Sequence, residues 1–190
     1  MIKVAIVGNI ASGKSEVQKY LINKDYVVLD TDMMTHDILM DKAEVAEAFA
    51  EYDVFEFGRL SKEKLGKLVF ANPELKEKLE DIVHPLIAEE IHSAFKTFEN
   101  EEIIFISIPL LFEVGWENMF DKIIFVSIDE KLQLERLMNR NNYSKEEAEL
   151  RINSQMPQCE KLDKSDFIIE NNSDIKDLHN EIEKVLSLLS

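Results

Sequence analysis

The chain has 190 residues, of which 45% are hydrophobic and 32% are charged, and its formal net charge is −16. This length predicts one domain, or one domain that carries an inserted segment. The negative charge argues against nucleic acid as the main partner, because proteins bind that polyanion by neutralising its phosphates. The apolar runs are shorter than the ~18 residues that a membrane span needs, so we expect no membrane partner either.

Cys159 is the single cysteine, which excludes an internal disulfide and favours a reducing compartment. The first apolar run begins at Ile2, so we expect no signal peptide. Together these features predict a cytoplasmic protein. We expect it to be a monomer or a weak homo-oligomer.

Residues 8–15 have the sequence Gly-Asn-Ile-Ala-Ser-Gly-Lys-Ser, which matches the pattern G-x-x-x-x-G-K-[ST]. We call this segment the phosphate loop. A short apolar run precedes it and apolar residues at helical spacing follow it, which predicts a strand before the loop and a helix after it. Backbone N–H groups and the helix dipole would then hold a polyphosphate.

Side chains of the phosphate loop have distinct expected roles. Gly8 and Gly13 permit backbone conformations that a side chain would forbid. Lys14 is expected to reach the β- and γ-phosphates of a nucleotide, and Ser15 to bind Mg²⁺. The loop alone predicts binding of a nucleoside triphosphate with Mg²⁺ and leaves open a kinase, a GTPase or a motor.

Two aspartates, Asp30 and Asp32, follow the second apolar run, over 27–29. Carboxylates just past a parallel strand lie at the ligand-binding edge of the sheet. In an extended chain the two would share a face, so one could act as general base on an acceptor hydroxyl while the other orients Mg²⁺ or its waters. The alternative is that Asp32 simply caps a helix over 33–40.

Residues 43–98 have mostly helical periodicity. Ser61 is expected to cap one helix, and Asn72 followed by Pro73 to begin a longer one. The pair His84-Pro85 should interrupt and kink that longer helix. Such a kink could shape a substrate-binding wall, although His84 could equally be an ordinary packed or solvated histidine.

Two runs that are apolar except for one serine each, over 103–108 and 123–128, predict central parallel strands. Phosphate-loop proteins often place a Mg²⁺-orienting acid after such a strand, and Glu113 is the nearest acid after the first run. Glu113 could contact substrate or metal-bound water, or it could be only a surface acid. Asp129 is expected to cap the helix that follows the second run.

Arginine is scarce in this chain, and three of the four arginines lie between residues 136 and 151. A capping box at Ser144 opens a second helix in this region. Two helices joined by an Asn-rich turn, with arginines on both, predict a lid that closes over ATP. The alternative is a solvated helical hairpin.

A last apolar run over 167–169 and an amphipathic terminal helix complete the pattern. Five strands therefore alternate with helices, which predicts an α/β fold whose parallel sheet is covered by helices on both faces.

These segments, in this order and at this spacing, resemble the dephospho-CoA kinase family over nearly the whole chain. The segments that carry the resemblance are the phosphate loop, Asp30-Thr31-Asp32, 58–73, His84-Pro85, Pro109-Leu110-Leu111-Phe112-Glu113, 133–140 and 151–172. The resemblance implies a five-stranded P-loop kinase core over 1–42, 99–135 and 156–190, a helical substrate-binding insertion over 43–98, and a lid over 136–155. It also implies that the γ-phosphate of ATP is transferred to the ribose 3′-hydroxyl of dephospho-CoA, giving coenzyme A.

The family's site residues carry over to matching positions here. The resemblance implies that Asp32 is the general base, with Lys14 and Arg140 also catalytic, and that Ser15 binds Mg²⁺. The expected nucleotide-binding residues are Gly8, Ile10, Ala11, Ser12, Gly13, Lys14, Ser15, Glu16 and Arg140. The expected acceptor-binding residues are Asp30, Asp32, His84 and Glu113.

Three positions depart from the family pattern: Ala11 stands where Gly is common, Glu16 where Thr is frequent, and Lys62 where Arg is usual. The alternative function is another small-molecule kinase, such as a nucleoside monophosphate kinase. A GTP-binding switch would need an N-K-x-D segment after a late strand, and Asn171 is instead followed by Asn172-Ser173.

Overall fold

The computed structural model describes residues 1–189, which divide into two compact units. Unit 1 comprises residues 1–29 and the chain from residue 100 onward, and unit 2 comprises residues 30–99. Unit 2 therefore begins at Asp30 rather than at residue 43, and the segment predicted as a lid belongs to unit 1.

Seven strands and nine helices are present within residues 1–189. In chain order they are β1 (Ile2–Val7), α1 (Lys14–Asn23), β2 (Val27–Asp30), α2 (Thr31–Asp41), α3 (Ala43–Ala48), β3 (Phe55–Glu56), β4 (Arg59–Leu60), α4 (Lys62–Ala71), α5 (Pro73–Thr97), β5 (Ile103–Ser107), β6 (Lys122–Ser127), α6 (Glu130–Asn141), α7 (Lys145–Asn153), α8 (Gln158–Leu162), β7 (Phe167–Glu170) and α9 (Ile175–Leu189). A 3₁₀ turn at Glu117–Met119 precedes β6.

The predicted five-stranded sheet is confirmed, with the strand order β2-β5-β1-β6-β7. Strand β1 pairs in parallel with β5 on one side and β6 on the other, and β6 pairs in parallel with β7. Every residue of β5 is buried, which explains why its sequence is continuously apolar up to the final serine rather than alternating. The carboxyl ends of β1, β5, β6 and β7 consequently lie along one edge of unit 1.

Helix α9 supplies much of the unit 1 core. Its buried stripe of Leu178, Ile182, Val185 and Leu189 faces β7 and α1. Each fully buried side chain of this size contributes roughly 1.5–3 kcal/mol through removal of apolar surface from water. This packing fixes α1, and hence the end of the phosphate loop, against the sheet.

Unit 2 is organised around α5, which packs against α2, α3 and α4. The Asn72 side chain caps α5 as predicted, accepting hydrogen bonds from the backbone N–H groups of Glu74 and Leu75. The helix continues through Pro85 to Thr97, so the expected interruption is wrong. None of the helices within residues 1–189 has the length and apolar composition needed to cross a bilayer.

A two-stranded antiparallel hairpin, β3 with β4, lies in the segment predicted to be mostly helical. Its turn residues, Phe57 and Gly58, have φ values of 51° and 78°. Positive φ at both turn positions matches the twist of a tight hairpin. The sequence analysis missed this hairpin because each strand is two residues long, too short to show alternation.

Candidate active site

The phosphate loop lies at the carboxyl edge of unit 1, between β1 and α1 as predicted. Gly13 forms the N-cap of α1 with φ +91°, and no side chain caps this helix. The backbone N–H groups of the first turn are therefore left to a ligand, and the positive end of the helix dipole favours an anion there.

Both loop glycines are required by their surroundings. A Cβ on Gly13 would lie 2.0 Å from the amide nitrogen of Asn171, and a Cβ on Gly8 would lie 2.5 Å from the Ser12 hydroxyl. Ala11 also has a positive φ, of 62°, the left-handed conformation that glycine adopts without strain. This backbone conformation gives a physical reason for glycine to be common at position 11.

Three side-chain amides from distant parts of the chain hold the loop backbone. The Ile10 N–H donates to Oε1 of Gln155 at 2.7 Å, and Nε2 of Gln133 donates to the Ile10 carbonyl at 2.8 Å. Nδ2 of Asn171 donates to the Ser12 carbonyl at 2.7 Å. The predicted site did not include these three residues. The one feature that could have indicated them is Gln133, a polar residue at a buried position of α6.

Lys14 donates from Nζ to Oγ of Ser107, the last residue of β5. Ser107 is fully buried, so the structure places a hydroxyl group where phosphate-loop proteins often carry a magnesium-orienting acid. The acid expected after this strand is absent, and Glu113 was predicted in its place. The residue that contacts the loop lysine is instead the serine at the strand end itself.

Other atoms of the loop fit a bound polyphosphate and a hard cation. The Ser12 hydroxyl is buried and has no hydrogen-bond partner within residues 1–189, so it is available to a ligand. The Ser15 hydroxyl is exposed and makes no hydrogen bond in the same part of the chain, and a hydroxyl oxygen suits Mg²⁺. No group of three or more His, Cys, Asp or Glu side chains that could hold a metal ion occurs in the described chain.

Glu16 pairs with a lysine on its own helix. Its Oε1 lies 2.6 Å from Nζ of Lys19, one helical turn along α1, and both side chains are largely exposed. The neighbouring ammonium group offsets the negative charge of Glu16, which directly follows the phosphate loop. The structure therefore gives the Glu16 side chain a partner other than nucleotide.

Glu113 forms an ion pair with Lys161 of α8. The Nζ atom of Lys161 is completely buried and lies 2.8 Å from Oε1 of Glu113, although the contact lacks hydrogen-bond geometry. The Met156 N–H also donates to this carboxylate, at 3.4 Å. Glu113 is therefore an acid at the surface whose carboxylate is paired with a buried lysine. A charge buried as deeply as that of Lys161 needs such a partner.

The arginines of the predicted lid occupy different positions. A Cβ built on Gly13 would lie 3.9 Å from Nη1 of Arg136, so this guanidinium lies beside the start of α1. Arg140 is exposed near the end of α6, and its Nε donates to Asn141 at 2.9 Å. Arg151 stacks over the Tyr143 ring at 4.6 Å. Arg136, which the site prediction omitted, is thus the arginine placed beside the phosphate loop.

In unit 2, the two aspartates do not share a face of an extended chain. The strand ends at Asp30, and Asp32 already belongs to the first turn of α2. The helix cap is Asp30, whose Oδ1 accepts a hydrogen bond from the Asp32 N–H at 2.8 Å. The alternative that Asp32 caps this helix is therefore wrong.

His84 lies half-buried in the middle of α5, beside Pro85. Ser61, Asp129 and Ser144 cap their helices as predicted, and Ser144 forms the full capping box with Glu147. Short-range signals of this kind were thus interpreted correctly in both units.

Comparison with known proteins agrees with this geometry. The family model described as dephospho-CoA kinase matches residues 2–177. A dephospho-CoA kinase from Fusobacterium nucleatum is 36% identical over 184 residues, which cover 95% of each chain.

Solved structures give the same result. A dephospho-CoA kinase from Campylobacter jejuni is 32% identical, with a TM-score of 0.79, covering 99% of this chain and 96% of that one. A shikimate kinase from Bacteroides thetaiotaomicron shares the fold alone, at 14% identity and a TM-score of 0.59, over 99% of this chain and 98% of the other. The chain belongs to the dephospho-CoA kinase family, the ATP-using transferases that catalyse the final step of coenzyme A synthesis.

Proposed function

We propose that this protein transfers the γ-phosphoryl group of ATP directly to the ribose 3′-hydroxyl of dephospho-CoA, without a phosphorylated enzyme intermediate. The observation that carries the proposal is the phosphate loop, whose backbone is fixed by Gln133, Gln155 and Asn171 around an uncapped helix start. A loop held in place before the nucleotide arrives loses little freedom on binding, which favours the positioning that phosphoryl transfer depends on.

Lys14 has two expected partners in the cycle. Its ammonium group donates a hydrogen bond to Oγ of Ser107. When ATP is bound, we propose that the same group interacts with the β- and γ-phosphates and neutralises charge that develops between them. Ser107 would then act as a positioning residue that holds the lysine at the carboxyl end of β5 between turnovers.

Asp32 is proposed as the general base. Its carboxylate would accept the proton of the 3′-hydroxyl as the new bond forms between that oxygen and the γ-phosphorus. The bond between the γ-phosphorus and the β,γ-bridging oxygen breaks, and ADP leaves with the electron pair. Arg140 is proposed to cover the γ-phosphate, and Arg136 to contact phosphate beside Gly13. The proposal for Asp32 is supported by the family resemblance and by its place directly after β2.

Ser15 is proposed as the protein ligand of Mg²⁺. When bound, the cation would neutralise the negative charge of the β- and γ-phosphate oxygens.

Two residues of unit 2 have further proposed roles. Asp30 caps α2 and would orient the adjoining turn, and His84 is proposed to contact the acceptor. We also propose a cytoplasmic location, since the single cysteine allows no internal disulfide. A monomer or weak homo-oligomer is proposed as the oligomeric state.

An ATP-consumption assay tests the proposal, with dephospho-CoA as acceptor and with AMP and adenosine as controls. We expect rapid turnover with dephospho-CoA, and a severe loss of that turnover in Lys14→Ala. Phosphorylation of AMP without phosphorylation of dephospho-CoA would instead establish a nucleoside monophosphate kinase. Unchanged kcat and KM in Lys14→Ala would contradict the proposal that the phosphate loop binds the phosphates of ATP.

A further inference from the structure

The two residues before Pro157, which precede the short helix α8, bind the phosphate loop at two neighbouring points. Gln155 accepts a hydrogen bond from the Ile10 N–H at 2.7 Å, and the carbonyl of Met156 accepts one from Nδ2 of Asn9 at 3.1 Å. Asn9 is buried, so its contact is shielded from water. Two successive residues of the loop are therefore held by two successive residues at the start of the α8 segment.

Helix α8 reaches the same part of the loop by a second route. Its first residue, Gln158, exchanges hydrogen bonds with the backbone of Ile128, just past β6, at 3.2 and 3.0 Å. Nε2 of Gln158 also donates to Oε1 of Gln133 at 3.4 Å, and Gln133 in turn donates to the Ile10 carbonyl. The position of α8 thus bears on both the N–H and the carbonyl of Ile10.

A single carboxylate oxygen joins the two ends of the α8 segment. Oε1 of Glu113 lies 2.8 Å from Nζ of Lys161, in the last turn of α8, and accepts from the Met156 N–H at 3.4 Å. The Lys161 side chain is completely buried, and a buried ammonium group needs an anionic partner. Lys161 therefore holds the Glu113 carboxylate in reach of Met156.

Helix α8 depends on these polar contacts for its position. It has only five residues, and so short a helix is unstable in water unless tertiary contacts support it. Lys161 is the one buried residue of α8, so the helix has no apolar stripe packed in the core. The contacts made by Gln158 and Lys161 take the place of such a stripe.

We propose that Glu113 is a positioning residue for nucleotide binding. Its carboxylate, held by Lys161, fixes the backbone of Met156, and Met156 in turn fixes Asn9 of the phosphate loop. The inference rests on the proposed function only in taking this loop as the nucleotide site. It gives Glu113 a role on the nucleotide side of the reaction, in place of the acceptor contact expected from the resemblance.

Two double variants separate this role from a contribution to stability alone. Glu113→Gln with Lys161→Met removes both charges but keeps a side-chain oxygen that can accept from the Met156 N–H. Glu113→Leu with Lys161→Met removes both charges and that acceptor as well. Neither variant leaves one buried charge unpaired, so both should remain folded, which urea unfolding checks.

Calorimetric titration with ADP then decides between the two roles. The Glu113→Gln double variant should bind ADP within about twofold of the wild type, whereas the Glu113→Leu double variant should bind about fivefold more weakly. The KM for ATP should rise by a similar factor in the second variant only, and the KM for dephospho-CoA should stay within about twofold in both. Equal ADP affinities of the two double variants would overturn the inference.

Asn9→Ala provides a second test that leaves Glu113 and Lys161 intact. It should weaken ADP binding about fivefold, with little further loss when combined with the Glu113→Leu double variant, because both changes break the same path. The control is Asn153→Ala, at an exposed position of α7, which should bind ADP as the wild type does. Equal affinities of Asn9→Ala and this control would also overturn the inference. Failure of the proposed function would appear differently, as wild-type protein that binds ADP but does not phosphorylate dephospho-CoA.

Discussion

The phosphate loop in unit 1 and the acidic turn in unit 2 are held by contacts of different range. The Ile10 peptide bonds to Gln133 and Gln155, and Ser12 bonds to Asn171, all more than 120 positions away in the chain. Asp32, in contrast, is fixed at its backbone by Asp30, two residues earlier. The geometry of the nucleotide site therefore depends on the folded core of unit 1, while a local helix cap contributes to holding the backbone of the aspartate turn in unit 2.

Asp32→Asn tests the aspartate turn of unit 2 and should have the largest effect on activity of the changes considered. The amide keeps the size of the side chain and the backbone bond to Asp30, but it cannot accept the hydroxyl proton. We expect kcat to fall about 10²- to 10⁴-fold, the usual contribution of general base catalysis. A stopped assay should show the fall in kcat, while calorimetry should show an unchanged affinity for ATP. A kcat near that of the wild type would refute the base assignment.

Glu113→Gln tests whether the long-range contacts of unit 1 carry stability. The change leaves the buried Lys161 charge without its anionic partner. Removing one member of a buried pair typically costs about 3–5 kcal/mol, so the unfolding midpoint in urea should fall clearly. Glu113→Leu combined with Lys161→Met should recover much of this loss. Equal stability of Glu113→Gln and wild type would show that the pair contributes nothing.

Arg136 and Arg140 form a matched comparison on one helix. Arg136 lies beside Gly13, whereas Arg140 is exposed and bonded to Asn141. Arg136→Gln should weaken ADP binding about tenfold or more, since a hydrogen bond to a charged group contributes roughly 1.5–3 kcal/mol. Arg140→Gln should leave ADP affinity nearly unchanged and lower kcat, because its proposed contact is the γ-phosphate. Titration calorimetry with both variants decides the assignment, and the reverse pattern would exchange the two roles.

The smallest expected effect concerns the surface contact between α1 and α9. The hydrogen bond from Lys24, followed by that from Tyr20, lowers the pKa of Glu183 below its ordinary value of 4.5. A carboxyl group with a lowered pKa stabilises the fold above its ordinary pKa, and the contribution is lost as the pH falls through the lowered value. Glu183→Gln should thus lower the unfolding temperature slightly at pH 7 and not at all at strongly acidic pH.

Glu181→Gln is the control for that experiment, because Glu181 pairs with Lys184 inside α9 and does not join two helices. It should change the unfolding temperature less than Glu183→Gln at pH 7. A difference between Glu183→Gln and wild type that persists undiminished in acid would exclude the ionic explanation.

Much of the fold could be predicted because its signals are local. Apolar runs marked the strands, and Ser61, Asn72, Asp129 and Ser144 marked helix starts, since a cap depends on residues within one turn. The phosphate loop itself was found from its spacing.

The contacts that secure the loop could not be predicted in the same way. Gln133 occupies a buried position of α6 that spacing alone would assign to an apolar residue, and Lys161 is a fully buried lysine in a short helix. Ser107 ends an apolar strand without any local feature to distinguish it. Their roles depend on which segments the sheet order brings together, and that information is not contained in any short stretch of sequence.

Adjacent asparagines allow the central claim, that distant side chains fix the phosphate loop, to be tested in one measurement. Asn171 is buried and bonds the Ser12 carbonyl, whereas the exposed Asn172 accepts from the Asp129 N–H. Calorimetric titration with ADP should show about tenfold weaker binding for Asn171→Ala, consistent with roughly 1–3 kcal/mol for a buried group left unpaired. Asn172→Ala should stay within about twofold of wild type. Equal ADP affinities for the two variants would contradict the account.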